Sequence, residues 1–155
     1  ETGGRVDPRP AYRAALGVAE RQKALESADS DWPLLRAEAR TGLARREAES
    51  GGDPSDEFER ALEDLKGLGA GEAALLRGEA LLDRAAWHAG KGADAGADAR
   101  DAAAALESAA AGEGGLAADV LAVIGGRSRL DPRLQTLAER CTAATEADGA
   151  KGGGK

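Results

Sequence analysis

His88 is the only histidine in the chain and the side chain best suited to acid–base chemistry near neutral pH. Two carboxylates precede it, Glu79 and Asp83, which are four residues apart and therefore share one face of a predicted helix. His88 lies five residues beyond Asp83 and well round the helix from that face. A metal would need ligands from elsewhere, and no Ser or Cys nucleophile is linked to His88 by a recognisable motif. We therefore expect no catalytic residue, no metal site and no cofactor, although a helical enzyme or ligand-sensing domain is a further alternative.

A polar stripe on the second predicted helix contains Arg36, Arg40 and Glu47. The residues 41 positions after Arg36 and Glu47 are Arg77 and His88, which continue the stripe onto the fourth predicted helix. Arginine forks bind carboxylates in a bidentate manner, so the stripe could line a groove that receives carboxylates of a partner protein. The alternative is that these side chains are solvated charges with a few helical ion pairs, each contributing only about 0.2–1 kcal/mol.

Two tryptophans and one cysteine are further candidates for function. Trp32 lies at the first turn of the second predicted helix and could be a partner anchor or a core residue. Trp87 falls among apolar positions, so we expect it to pack in the core. Cys141 is the single cysteine, so no internal disulfide can form, and its place on an apolar helical face predicts a small core residue.

The candidate residues of the stripe belong to a segment that is repeated in the sequence. Leu35–Ala39 (LRAEA) returns 41 residues later as Leu76–Ala80 (LRGEA), and the same offset relates further Ala, Gly, Asp and Leu residues over about 31 positions. A fixed offset of this length predicts a repeat in which each unit is one helical hairpin.

The antiparallel helix pairs, with small residues at crossing points and Gly near the turns, resemble tetratricopeptide repeats. The segment Arg40–Ala44 (RTGLA) is similar to the Gly-then-Ala signature of that family. The resemblance implies a short α-solenoid whose concave groove, lined by the first helix of each pair, binds an extended peptide or a partner helix. The fold class that we predict is all-α, with antiparallel hairpins stacked in a tetratricopeptide-like array of about seven helices.

Local signals set the helix boundaries and the faces that should be buried. Helix starts are predicted at four aspartates, because Asp accepts free backbone N–H groups there. Three of them precede a proline, Asp7, Asp53 and Asp131, and the fourth is Asp94 before the fifth helix.

The predicted second helix has two apolar arcs, one with Leu34, Ala37, Ala44 and Ala48 and one with Leu35, Ala39, Gly42 and Leu43. Two arcs predict a neighbouring helix on both sides. The first helix should pack through Ala11, Ala15, Val18, Gln22 and Leu25, and the last through Leu134, Leu137, Ala138, Cys141 and Ala144.

Composition limits the partners. The net charge of −7 argues against nucleic acid as the main partner, and no apolar run reaches the roughly 20 residues of a membrane span. Residues 1–5 and 147–155 read as tails, which leaves a helical-repeat domain over residues 6–146. Ala, Gly and Arg usage is typical of a GC-rich, bacterial genome.

We expect a module that binds a peptide or helix of a partner protein. The alternative is a structural spacer or self-assembling unit that stacks through its repeat ends.

Overall fold

All regular secondary structure in the computed structural model is helical over the residues that it describes, 7–25, 31–69, 71–112 and 115–152. This confirms the predicted all-α fold with its seven helices in the described residues, and the predicted tail at 1–5 lies outside them. The helices are α1 (Arg9–Leu25), α2 (Asp31–Glu49), α3 (Ser55–Asp64), α4 (Glu72–Gly90), α5 (Gly96–Ala111), α6 (Ala117–Ile124) and α7 (Pro132–Gly152), with a 3₁₀ helix at Gly125–Leu130.

Helix packing divides the chain into two compact units, Glu1–Lys66 and Gly67–Lys155. In the first unit, α2 packs against both α1 and α3, which confirms the predicted neighbour on both sides, but Leu35 of the second apolar arc is 47% exposed and was wrongly predicted as buried. In the second unit, α4 packs mainly against α5 and also against α6, and α6 packs against α7. The predicted domain over residues 6–146 spans both units.

Aspartate side chains start four of the helices, in agreement with the sequence. In each case a carboxylate oxygen accepts the backbone N–H two residues further on, at 2.8–3.0 Å, which satisfies one of the free donors of the first turn. The four aspartates are Asp7, Asp53, Asp94 and Asp131. The backbone N–H and then the side chain of Arg9 hold the pKa of Asp7 below its ordinary value.

Small residues let the helices approach closely within each unit. A Cβ atom at Gly42 would overlap the ring of Tyr12 on α1, and one at Gly78 would lie 2.5 Å from the side chain of Leu106 on α5. Both glycines are buried in helices and need no unusual backbone angle, so it is their missing side chain that matters. The core around these contacts is built mostly from Ala and Leu, with Phe58 as its one fully buried aromatic among the described residues.

The face by which α1 packs differs from the prediction, which was wrong. Ala11, Ala15 and Val18 are exposed, while Ala19 is buried and Tyr12 is half-buried. Successive helical residues are about 100° apart, so the helix is turned by one residue from the predicted orientation. The reason is that the Tyr12 ring lies over Gly42, where no side chain blocks it, and this contact places Tyr12 and not Ala11 on the face that packs against α2. The side chains of Gln22 and Leu25 lie outside the described residues.

The last helix buries Leu134, Leu137 and Cys141, as predicted, but leaves Ala144 exposed. It continues to Gly152, into the stretch that the sequence predicted as a tail from residue 147. Residues 146–152 are all exposed, so this last part of α7 buries no side chain of its own.

We predict that Gly78→Ala lowers the free energy of unfolding by about 1–3 kcal/mol, because the new methyl group must displace Leu106 from a packed position. Urea denaturation followed by circular dichroism measures the change. The matched control is Gly90→Ala on the same helix, where no atom lies within 4 Å of the added Cβ. There the higher helix propensity of Ala should leave stability unchanged or raise it by up to about 1 kcal/mol. Equal stability of the two variants would contradict the close α4–α5 contact.

Candidate functional site

Arg36 and Arg40, the two arginines of the predicted stripe on α2, meet at one carboxylate on α3. Arg36 Nη2 donates a hydrogen bond of 2.6 Å to Asp64 Oδ1, and Arg40 Nε lies 3.2 Å from Asp64 Oδ2. The three side chains are only 8%, 12% and 11% exposed. These residues are therefore part of the α2–α3 packing and not a fully solvated stripe.

Arg40 also reaches the neighbouring helix α1. Its Nη2 donates a hydrogen bond of 3.2 Å to Glu20 Oε1, and the Glu20 side chain is 52% exposed. One guanidinium thus lies between a buried carboxylate on α3 and an exposed carboxylate on α1. We refer to Arg36, Arg40, Asp64 and Glu20 together as the Asp64 cluster.

The Asp64 cluster has more hydrogen-bond donors than acceptors. Two guanidinium groups carry ten N–H donors between them, whereas the cluster supplies two carboxylates. Arg36 Nε is buried and has no hydrogen-bond acceptor among the described residues. Arg40 Nε is close to Asp64 but lacks the alignment of a hydrogen bond. Asp64 Oδ2 is likewise buried without a hydrogen-bond donor, so the cluster contains unsatisfied groups of both kinds. Each such group is unfavourable by roughly 1–3 kcal/mol.

Glu47 and Trp32, the other predicted residues of α2, are both half-buried. The Glu47 side chain lies against the backbone of Gly52, where it occupies the space that a Cβ would fill. The indole Nε1 of Trp32 is buried without an acceptor in the described part of the chain. Trp32 therefore packs most of its ring against the protein and is not a fully exposed anchor.

The second unit contains Arg77 and His88, both on α4 and both half-buried. His88 Nε2 lies 3.8 Å from Asp98 Oδ2, and its ring centroid is 4.9 Å from that of Trp87. Arg84 holds the same Asp98 carboxylate through two hydrogen bonds of 2.8 and 2.6 Å. Arg77 also has an interaction partner within the protein. Arg36, Arg40 and His88 are thus each close to a carboxylate of a neighbouring helix in their own unit.

Sequence reasoning missed the carboxylates that receive these arginines. Asp64 and Asp98 lie on the second helix of each hairpin, on α3 and α5. Asp64 directly precedes the buried Leu65 and follows the buried Ala61 by three residues, which places it at the edge of the α3 face that packs on α2. A carboxylate at the edge of a buried face, opposite arginines on the partner helix, is the signal that could have identified the pair.

The described residues offer few groups for other chemistry. They contain no set of three His, Cys, Asp or Glu side chains arranged to hold a metal ion. Cys141 is a free and buried thiol, as predicted, and burial raises its pKa. In the described part of the chain, every helix is too short or too polar to span a bilayer. The Asp64 cluster is therefore the strongest candidate for a recognition site.

We predict that Asp64→Asn lowers the free energy of unfolding by about 3–5 kcal/mol, because it leaves two largely buried guanidinium groups without their shared carboxylate. The control is Glu63→Gln, one residue earlier, where the exposed Glu63–Lys66 pair at 3.7 Å contributes less than about 1 kcal/mol. Urea denaturation of both variants measures the difference. A loss at Asp64 no greater than at Glu63 would show that the cluster is not a structural link.

Comparison of the chain with protein-family models, with curated protein sequences and with solved structures found no match.

Proposed function

We propose that this protein is a non-catalytic interaction module that binds a peptide or helix of a partner protein through a surface that includes α2, the first helix of its first hairpin. The observation that carries the proposal is the position of Arg40. Its guanidinium is held from the inside by Asp64 on α3, and on its other side it already binds a carboxylate presented by a separate helix, that of Glu20. A partner segment would be recognised in the same way.

Preorganisation is the physical reason why Arg40 suits this role. A flexible surface arginine loses side-chain entropy when it binds, and this loss lowers affinity. Arg40 is 12% exposed and contacts Asp64, so most of its freedom is already lost in the folded protein. A hydrogen bond to a charged group that is held in place contributes more than one between two exposed, mobile groups.

A tetratricopeptide-like arrangement is part of the proposal. It is supported by the two hairpins, because α2 and α4 each have 19 residues and begin 41 positions apart, at Asp31 and Glu72. In such repeats the first helix of each pair lines the groove, and Arg40 is on α2, the first helix of the first hairpin. Trp32 and Glu47, on the same helix, would border the bound segment.

Self-assembly is the second candidate, and one specific observation favours it. Val18 on α1 and Leu35 on α2 are the two large hydrophobic side chains that are exposed among the described residues, at 44% and 47%. Ala11 and Ala15 share the exposed face of α1 with Val18. Copies of the chain could stack through this apolar face, as expected of a structural spacer.

The experiment that tests the proposal selects binders from a displayed library of random peptides and measures their affinity for the protein by fluorescence anisotropy. We expect Arg40→Gln to weaken the selected peptides by roughly tenfold or more, because a charged hydrogen bond to the partner is lost. The matched control is Arg100→Gln, which removes an exposed arginine from α5, and circular dichroism shows whether both variants remain folded.

The proposal is contradicted if no peptide is enriched, or if the enriched peptides bind the Arg40→Gln and Arg100→Gln variants equally well. A molecular mass that grows with concentration in sedimentation equilibrium would in that case favour the spacer.

A further inference from the structure

We infer that α1 regulates the binding site, because the carboxylate of Glu20 occupies the position on Arg40 that a carboxylate of the partner would take. This inference rests on the proposed function. It identifies the partner segment as acidic, and it makes Glu20 an internal competitor that the partner displaces.

The two carboxylates bound to Arg40 differ in burial. Asp64 is 11% exposed and also accepts the 2.6 Å hydrogen bond from Arg36, so its removal would leave buried charges unpaired. Glu20 is 52% exposed and makes one hydrogen bond of 3.2 Å. Because solvent can replace Glu20 at little cost, Glu20 is the carboxylate that exchanges and Asp64 is the one that stays.

Glu20 can leave Arg40 without any movement of α1. The helix α1 stays packed on α2, with Ala19 buried and Tyr12 seated over Gly42. The Glu20 side chain is exposed, and exposed side chains change rotamer within about ps–ns. The carboxylate of Glu20 can therefore exchange while the helices remain in place.

The charge of Arg40 specifies the chemistry of the partner. Its guanidinium has Asp64 on its inner side and Glu20 on its outer side. A carboxylate of an acidic segment can take the place of Glu20 and restore the charged hydrogen bond to Arg40. A neutral or basic segment would leave Arg40 without a counter-charge on its outer side.

The test measures the binding of fluorescein-labelled octaglutamate to the full chain at low ionic strength, where exposed charge pairs are least screened. We expect Glu20→Gln to bind this peptide roughly two- to fivefold more tightly than the natural sequence, the ratio that corresponds to loss of one competing exposed ion pair. Adding Arg40→Gln to Glu20→Gln should remove the gain. The control is Glu38→Gln, which makes the same change in net charge at an exposed position of α2 and should bind octaglutamate as the natural sequence does.

Equal binding of octaglutamate by the Glu20→Gln and Glu38→Gln variants would overturn the inference, since the gain would then reflect net charge alone. So would the absence of measurable binding to every variant. In either case the proposed function stands if peptides selected from the library still require Arg40. It falls together with the inference if those peptides are also insensitive to Arg40→Gln.

Discussion

The shared carboxylate of Asp64 is the interaction on which the first unit depends. It lies between Arg36 and Arg40, and through Arg40 it links α3 to α2 and to Glu20 on α1. Burying these charges has a desolvation penalty of several kcal/mol per ion, which close pairing only offsets. The cluster therefore acts mainly by fixing which side chains meet: any rotation of α2 against α3 would leave buried charge unpaired.

The second unit fixes its hairpin with an ion pair at different positions. Arg84 on α4 holds Asp98 on α5 through two hydrogen bonds. The residues 41 positions before Arg84 and Asp98 are Leu43 and Glu57, and Asp64 corresponds to Ala105. The first helices, α2 and α4, have corresponding bounds at this offset, and the second helices, α3 and α5, begin at corresponding residues, but α5 has 16 residues against 10 in α3. The charge that aligns the helices also lies at different positions in the two hairpins.

The features that the sequence predicted correctly are those that depend on residues close together in the chain. The aspartate starts at Asp7, Asp53, Asp94 and Asp131 agree with the structure because a helix end needs acceptors within two or three residues. Gly51 and Gly92, which follow the ends of α2 and α4, have left-handed backbone angles for a similarly local reason, since glycine adopts this conformation without a steric penalty.

What the sequence could not predict depends on contacts between distant residues. The face of α1 that packs on α2 is set by the contact of Tyr12 with Gly42, thirty positions away in the sequence. The apolar periodicity of α1 alone predicted an orientation that differs by a rotation of one residue. A helical wheel shows one helix at a time, and on the wheel of α2 Arg36 falls in a polar stripe. Only the position of Asp64 on the neighbouring helix shows that the stripe is partly buried.

Arg40 has a structural role through Asp64 and a proposed recognition role at the side where Glu20 lies. The most direct measurement is a pair of double-mutant cycles on the free energy of unfolding, with Arg40→Ala combined with Asp64→Ala in one cycle and with Glu20→Ala in the other. The account predicts a coupling of about 1–3 kcal/mol for Arg40 with Asp64, and below about 1 kcal/mol for Arg40 with Glu20. Equal couplings, or a stronger one to Glu20, would contradict it, because Glu20 would then be a fixed part of the structure and not an exchangeable ligand.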